Sequence, residues 1–296
     1  MFPKALSDST LNLALPKGRM QEGVLALLRD AGIHVTNTSR SYRPSVSLED
    51  CDTKTLKPQN IIEMLHLGSR DVGFAGADWV DELGLSDGSV VELLDTRLDP
   101  VRIVAAAPKE LLDADGALPD RRLVIASEYV RLTNAWIERT GRDALCVRSY
   151  GATEVFPPED ADLIVDNTAT GTTLRNNGLV ILDDLMRSST RLFAHAGALT
   201  QPGKRARIET MVLLLQSVLD ARERLMIEVN VGRNQLDAVV EALPCMRKPT
   251  IATLFGEEGY AVKAAVPRAA LPTLIPLLKE RGGSDIVVTK IAQIVV

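Results

Sequence analysis

Three times within the first 141 residues the chain runs through one plan: a short apolar run, a turn of small or polar residues, and an amphipathic stretch closed by glycine. "LNLAL" (11–15), "PKGR" and "MQEGVLALLRDAG" form the first unit. "RDVGFAGADWVDELG" forms the second, with its strand at 71–75, and "RRLVIAS" with "YVRLTNAWIERTG" (129–141) the third. Apolar residues at 3.6 spacing behind a glycine stop mark helices, and the short apolar runs mark buried strands. Further strands are expected at 101–108 and 144–150. Alternating strands and helices force a mostly parallel sheet with helices on its faces, so the chain is α/β.

After a long helix expected at 201–222 the grammar changes. "MIEVNVG" reads as a strand, "RNQLDAVVEAL" as a helix, and "TIATLF" and "YAVKAAVP" as strands on either side of the turn "GEEG". "RAALPTLIPLLKERG" is a helix despite Pro272 and Pro276, which strain one turn of it, and "SDIVVTKIAQIVV" ends in strands. The order βαββαβ is the ferredoxin-like unit, expected as a separate domain over 224–296.

Composition narrows the function. At 296 residues and 46% hydrophobic, the chain can bury the cores of two or three domains. A net charge of -5 disfavours general nucleic-acid binding, so the basic run "KRARIETM" reads as a solvated helix face. Cys51, Cys146 and Cys245 are scattered, which argues against a disulfide framework or a structural zinc. The start, "MFPKALSDST", lacks an apolar signal-peptide core, and no apolar run is long enough to span a membrane. A soluble, cytoplasmic protein without nucleic-acid or membrane partners is expected. His34, His66 and His195 are isolated and read as structural or surface residues. Trp79 and Trp136 read as core.

The stretch "DLIVDNTATGTTLRNNGL" (162–179) carries the chemistry. A buried strand ends in small residues, so backbone N–H groups can approach a ligand, and a helix start follows. The hydroxyls of Thr168, Thr170, Thr172 and Thr173 can donate to phosphate oxygens. Gly171 permits a sharp turn, and Ala169 adds no bulk. Asp166 would repel phosphate but can accept from sugar hydroxyls, or act indirectly on a metal carried by the phosphates. The stretch suits a sugar phosphate, and no Walker loop is present. Residue types alone equally allow a Thr-rich helix cap with a structural aspartate.

The longer segment 150–179 resembles the signature of the ATP phosphoribosyltransferase family. The matching residues are Gly151, Glu154-Val155, Ile164-Val165-Asp166, Ala169-Thr170-Gly171-Thr172-Thr173-Leu174 and Asn177-Gly178-Leu179. Asn167-Thr168 departs from it, since two apolar residues are expected there. "LNLALPKGRM", "RDVGFAGADWVDE" and "SSTRLFAHAG" resemble other segments of the family. "LPCMRKPTIATL" resembles the regulatory domain of its long form, and the likeness covers nearly all of 10–296.

The resemblance implies a two-lobed fold similar to type II periplasmic binding proteins. Lobe I would take 1–97 and 188–223, and lobe II 98–187, with crossings near 95–100 and 185–195. The expected reaction joins adenine N1 of ATP to C1 of 5-phosphoribosyl 1-pyrophosphate, releasing pyrophosphate. The nucleophile is then a substrate atom, in keeping with a chain that shows no triad signature. Glu154 and Asp166 would serve the ribose side, and residues 168–173 the 5-phosphate. Lys17, Gly18 and Arg19, with Gly76, Ala77 and Asp78, would bind nucleotide; Asp78 also reads as a plain helix cap. Mg2+ held mainly by substrate phosphates is the expected cofactor, with no protein ligand assigned to it. Residues 224–296 would bind histidine as a feedback inhibitor through Glu228, Asn230, Thr250 and Ala252. A homo-oligomer, dimer to hexamer, is implied. A two-lobed receptor without catalysis and a different phosphoribosyltransferase are the rival readings. The second usually places two acidic residues before its Thr-rich loop, where this chain has Val165-Asp166.

Overall fold

The computed structural model describes residues 10–36, 42–256 and 258–295. The start of the chain, "MFPKALSDS", and Glu257 of the "GEEG" turn lie outside the described residues. Two compact units emerge: one takes residues up to Ala26 together with Ile33–Thr210, the other Leu27–Gly32 together with Met211–Val296. The boundary therefore falls inside the long helix, ahead of residue 224, where the change of sequence pattern places it.

The first unit opens with β1 (Leu11–Pro16), α1 (Met20–Asp30), whose last turn from Leu27 falls in the second unit, and a small ribbon of β2 (Val35–Thr36) and β3 (Ser45–Val46). β4 (Cys51–Leu56), α2 (Pro58–His66), β5 (Val72–Gly76) and α3 (Ala77–Glu82) follow. A long strand β6 (Val90–Pro108) leads to β7 (Leu123–Ser127), α4 (Val130–Thr140), β8 (Ala144–Arg148), β9 (Leu163–Thr168) and the short α5 (Thr172–Asn176). A second long strand, β10 (Leu179–His195), returns to α6 (Ala196–Leu199) and α7 (Pro202–Arg222), which passes into the second unit at Met211.

One eight-stranded sheet orders these strands β4-β1-β5-β10-β6-β9-β7-β8. Its two ends are parallel, as the alternation of strand and helix requires. The middle is antiparallel, because β10 pairs with β5 and β6, and β6 with β9. The sheet is thus mixed, not simply parallel. β6 and β10 are the crossings expected near 95–100 and 185–195, and each runs through both halves as one strand. Their pairing slips repeatedly between Ile181 and Phe193. Arg97 and Asp99 hold positive φ there, a conformation non-glycine residues seldom adopt.

Polar ties join the halves. No side chain of α4 itself caps its start. Glu82 at the end of α3 does so, accepting from the N–H groups of Arg131 (3.0 Å) and Leu132 (3.1 Å). Burial raises the Glu82 carboxyl above its ordinary range, and these two N–H groups oppose the rise. Within the half built on β1 and β5, Lys204 of α7 reaches Asp71 at 2.9 Å, both buried, and Asn12 donates to the same carboxylate from backbone and side chain.

The second unit carries β11 (Arg224–Gly232), α8 (Leu236–Ala242), β12 (Thr250–Thr253), β13 (Gly259–Pro267), α9 (Leu271–Glu280) and β14 (Gly283–Lys290). Its antiparallel sheet is ordered β12-β13-β11-β14, the βαββαβ arrangement expected. β11 alternates strictly, burying Leu225, Ile227, Val229 and Val231, the last three in a core with Val239, Leu274 and Leu278 of the helices. α9 stays one helix: Pro272 sits in its first turn, where no N–H is needed, and Pro276 is accepted inside it. A single strand closes the chain, not the several that the final apolar run suggested. Among the described residues no helix is long and apolar enough to cross a membrane.

Candidate active site

β9 brings Asp166 to the exit of the sheet, and the chain then turns through Ala169, Thr170 and Gly171 into α5. Gly171 has φ 73°, and a Cβ there would sit 3.1 Å from the Arg175 guanidinium, so conformation and space both call for glycine. Thr168 is buried, and its hydroxyl accepts from the Gly171 N–H at 2.9 Å, tying the loop back to the strand. The hydroxyls of Thr170 and Thr172 meet at 2.9 Å. Arg175 braces the outside, donating to the Thr170 carbonyl (3.1 Å) and the Thr172 hydroxyl (3.2 Å). The loop is thus held by its own hydrogen bonds, and the first N–H groups of α5 have no partner within that helix.

A cleft of about 300 Å³ opens over this loop. Arg19, Glu154, Asp166, Thr170, Thr172 and Thr173 line it, joined by Asn167, Thr168, Ala169 and Leu174. Three separate stretches of sequence therefore converge. Glu154 arrives on a 3-10 turn, Thr153–Val155, after Gly151 and Ala152, both at positive φ. Arg19 arrives from the β1–α1 turn. The cleft combines a guanidinium and hydroxyls with two carboxylates, a set of groups suited to a phosphorylated sugar.

Asp166 is the perturbed group of the cleft. Burial pushes its carboxyl up to about 6, the Asn167 backbone N–H at 2.6 Å opposes the rise, and the charges of Glu128 and Glu154 add to it. Asp166 is still mostly ionised at neutral pH and can accept hydrogen bonds.

The nucleotide-binding expectations divide. Arg19 enters the cleft. Lys17 instead donates to the Tyr42 hydroxyl at 3.3 Å and lies 5.0 Å from that ring's centre. Gly18 has positive φ and open space beside it. Asp78 is buried, only 2% exposed. Its carboxylate accepts from Tyr129 Oη (2.8 Å) and Ser188 Oγ (2.6 Å), so it does not face the cleft. Nor does it cap α3, whose start has no side-chain cap. Gly76 has its explanation here: a Cβ on it would run into the Asp78 carboxylate. Ala77 begins α3 beside it.

In the second unit the four residues expected to hold histidine share one sheet face. Glu228 pairs across to Lys263 and on to Thr250; Asn230 pairs to Ala261 and on to Ala252. Glu228 forms an ion pair with Lys263, and Asn230 donates to Asp285 at 3.2 Å. Thr250 and Ala252 are exposed.

Four residues with a part in the site are not singled out by the sequence: Arg175, Tyr129, Ser188 and Tyr42. Arg175 had a signal, lying three residues after Thr172 and four after Gly171 on one helix face. The contacts of Tyr129 with Asp78 and of Asp78 with Ser188 span 51 and 110 residues, and no local pattern announces them.

Fold and cleft together define a two-lobed α/β enzyme of type II periplasmic-binding-protein architecture, with a C-terminal ferredoxin-like domain. The model of the ATP phosphoribosyltransferase family matches residues 57–217, and that of the HisG C-terminal domain matches 221–293. The ATP phosphoribosyltransferase of Chlorobium phaeovibrioides is 34% identical over 95% of this chain and 96% of its own length. That of Pelotomaculum thermopropionicum is 34% identical over 96% and 99%. Among solved structures, the ATP phosphoribosyl transferase (HisG:HisZ) complex from Thermotoga maritima aligns with TM-score 0.62 and 28% identity, covering 71% of this chain and 99% of that one. The chain belongs to the ATP phosphoribosyltransferase family, in its long form, and is a pentosyltransferase of the first step of histidine biosynthesis.

Proposed function

We propose that the cleft over residues 166–174 binds 5-phosphoribosyl 1-pyrophosphate and that adenine N1 of ATP attacks its C1 there. The C1–N1 bond forms as the C1–oxygen bond to pyrophosphate breaks, and pyrophosphate leaves with that electron pair. The observation that carries this reading is the convergence of Arg19, Glu154 and Asp166 on the Thr-rich loop.

The hydroxyls of Thr170, Thr172 and Thr173 and the loop N–H groups hold the 5-phosphate. Ala169 and Gly171 let the phosphate approach the backbone. Asp166 and Glu154 accept from the ribose hydroxyls and stabilise positive charge that grows on the sugar as the leaving group departs. Arg19 meets the polyphosphate with its planar fork, and Lys17 and Gly18 of the same turn, with the backbone at Gly76 and Ala77, flank the nucleotide. Catalysis then rests on positioning and electrostatics. Lobe I, expected over 1–97 with 188–223, then takes those residues apart from Leu27–Gly32 and those from Met211 on, which fall in the second compact unit, and lobe II takes 98–187.

Among the described residues no three His, Cys, Asp or Glu side chains gather into a metal cage. Two carboxylates beside a phosphate cradle suit Mg2+, which keeps most of its waters and binds chiefly through substrate phosphates. Glu154 and Asp166 would accept from its water shell. Bound there, Mg2+ neutralises pyrophosphate charge.

The sheet face bearing Glu228, Asn230, Thr250 and Ala252 binds histidine and inhibits the enzyme, within a homo-oligomer of two to six chains in the cytoplasm. The ultraviolet absorbance of N1-modified adenine nucleotide tests the whole reading. The protein is mixed with ATP, 5-phosphoribosyl 1-pyrophosphate and Mg2+, with pyrophosphatase pulling the reaction forward. Product that declines as histidine is added is the expected result. Product indifferent to histidine overturns the regulatory reading alone, and no product while both substrates bind overturns the catalytic one.

A further inference from the structure

Asn167 stands where the family resemblance calls for an apolar residue, and its surroundings explain why an amide is tolerated there. β9 alternates, so Asn167 shares a face with Leu163 and Val165, which belong to the core that also contains Trp79, Ile103 and Tyr129. An amide at the rim of an apolar core needs partners, and Asn167 has two. Its Nδ2 donates to Asp166 Oδ1 at 3.2 Å and to Tyr129 Oη at 3.3 Å.

The bonds continue from Tyr129 and converge on Asp78 from two sides. Tyr129 donates to Asp78 Oδ2 at 2.8 Å, and the other oxygen of Asp78 accepts from Ser188 Oγ at 2.6 Å. The Asp78 N–H returns to Ser188 Oγ at 3.1 Å. Tyr129 is 2% exposed, stacked on Trp79 with ring centres 4.8 Å apart, so its hydroxyl is fixed in place. The relay therefore starts at the carboxylate of the cleft, leaves β9, passes the β7–α4 turn and α3, and ends on β10, one of the two long crossing strands.

We propose that Asn167 is a positioning residue: through Tyr129, Asp78 and Ser188 it anchors the Asp166 carboxylate to the crossing strand and presents it to the ribose of 5-phosphoribosyl 1-pyrophosphate. This rests on the reading of the cleft given above. Asn167 engages Oδ1 of Asp166 from backbone and side chain, and an ionised carboxylate keeps further lone pairs with which to meet the sugar. An apolar residue at 167 would keep the backbone bond and lose the anchor. The cost should fall on the phosphoribosyl substrate and spare ATP.

The test is a double-mutant cycle on the full chain with Asn167→Leu, Tyr129→Phe and both together. KM is measured for each substrate, and binding of 5-phosphoribosyl 1-pyrophosphate by calorimetry. Leucine suits the apolar face, so the variant should fold; Asn167→Ala takes its place if it does not. The expected result is a rise in KM for 5-phosphoribosyl 1-pyrophosphate of about 3- to 10-fold, the size of one lost hydrogen bond. KM for ATP should stay unchanged, and the rise should be mostly absent in the Tyr129→Phe background. An unchanged KM, an equal rise for both substrates, or the same rise in both backgrounds overturns the proposal while leaving the enzyme reading intact. Wild-type protein that binds no 5-phosphoribosyl 1-pyrophosphate overturns the reading of the cleft itself.

Discussion

Asp166→Asn should make the protein more stable and a much poorer catalyst, and the two effects have one cause. The Asp166 carboxyl is pushed up from 3.8 to about 6, chiefly by burial, against the Asn167 N–H and with the help of Glu128 and Glu154. An acid whose folded pKa lies above its unfolded value supports the fold only while protonated. That support is complete below about 3.8 and is lost as pH rises through about 6. At neutral pH the wild-type fold therefore carries a buried charge it would be easier without. A displacement of that size corresponds to roughly 3 kcal/mol as an upper bound. Asparagine keeps the shape, still accepts from the Asn167 N–H, and bears no charge. At about 2–4 °C per kcal/mol in a unit of this size, thermal unfolding should move up by several degrees near neutral pH. The gap should close as the solution is acidified toward pH 4.

On the proposed reading of the cleft, the same substitution removes a charged acceptor from the ribose. A hydrogen bond to a charged group is worth roughly 1.5–3 kcal/mol, so kcat/KM for 5-phosphoribosyl 1-pyrophosphate should drop about 10- to 100-fold. In the wild type that parameter should decline as pH falls through about 6; in the variant this limb should be missing. Thermal unfolding across the pH range and steady-state kinetics measure both sides. A variant less stable than wild type at neutral pH, or a stability gap that ignores pH, refutes the desolvation argument. An unchanged kcat/KM refutes the role given to the carboxylate.

Gly171→Ala forces a Cβ into the left-handed region and against Arg175, which costs about 1–2 kcal/mol; calorimetry should show weaker binding of 5-phosphoribosyl 1-pyrophosphate with ATP binding kept. Lys204→Met strands the buried Asp71 carboxylate with Asn12 as its remaining donor, and should lower stability by about 3–5 kcal/mol in denaturant unfolding. Glu228→Ala breaks the pair with Lys263 on the exposed sheet face, and should raise several-fold the histidine concentration needed for half inhibition in the absorbance assay.

Local chemistry was legible in the sequence and long-range chemistry was not. The turn at Gly171, the glycine stop of α4 at Gly141 and the alternation of β11 each depend on residues a few positions apart, so spacing exposes them. The cleft was legible because Glu154, Asp166 and residues 168–173 lie within one stretch of twenty, and Arg19 was found from its place after a strand. The antiparallel centre of the sheet was not. β6 and β10 are long strands with broken register, and no period distinguishes them from two short strands joined by a loop. Asp78 shows the same limit. A small-residue turn before a helix looks the same whether its aspartate meets a ligand or turns inward, and what decides is a tyrosine 51 residues later and a serine 110 residues later.

Asn167 carries that lesson into function. Set against the family pattern, an amide in an apolar position reads as a blemish that leaves the loop intact. Placed beside Tyr129 it becomes the link between a cleft whose residues are local in sequence and a support that is not. If Arg19, Glu154 and Asp166 meet the substrate as proposed, over a loop tied to its own strand, what remains adjustable is how firmly the half of the sheet carrying Asp166 is held to the strand that crosses to the other half. Hydrogen bonds that run from Asn167 to Tyr129 and meet Ser188 at the Asp78 carboxylate, buried against Trp79 and reaching β10, would set that firmness. A substitution in this relay would then be expected to shift the binding of one substrate and leave the loop, the fold and the other substrate in place.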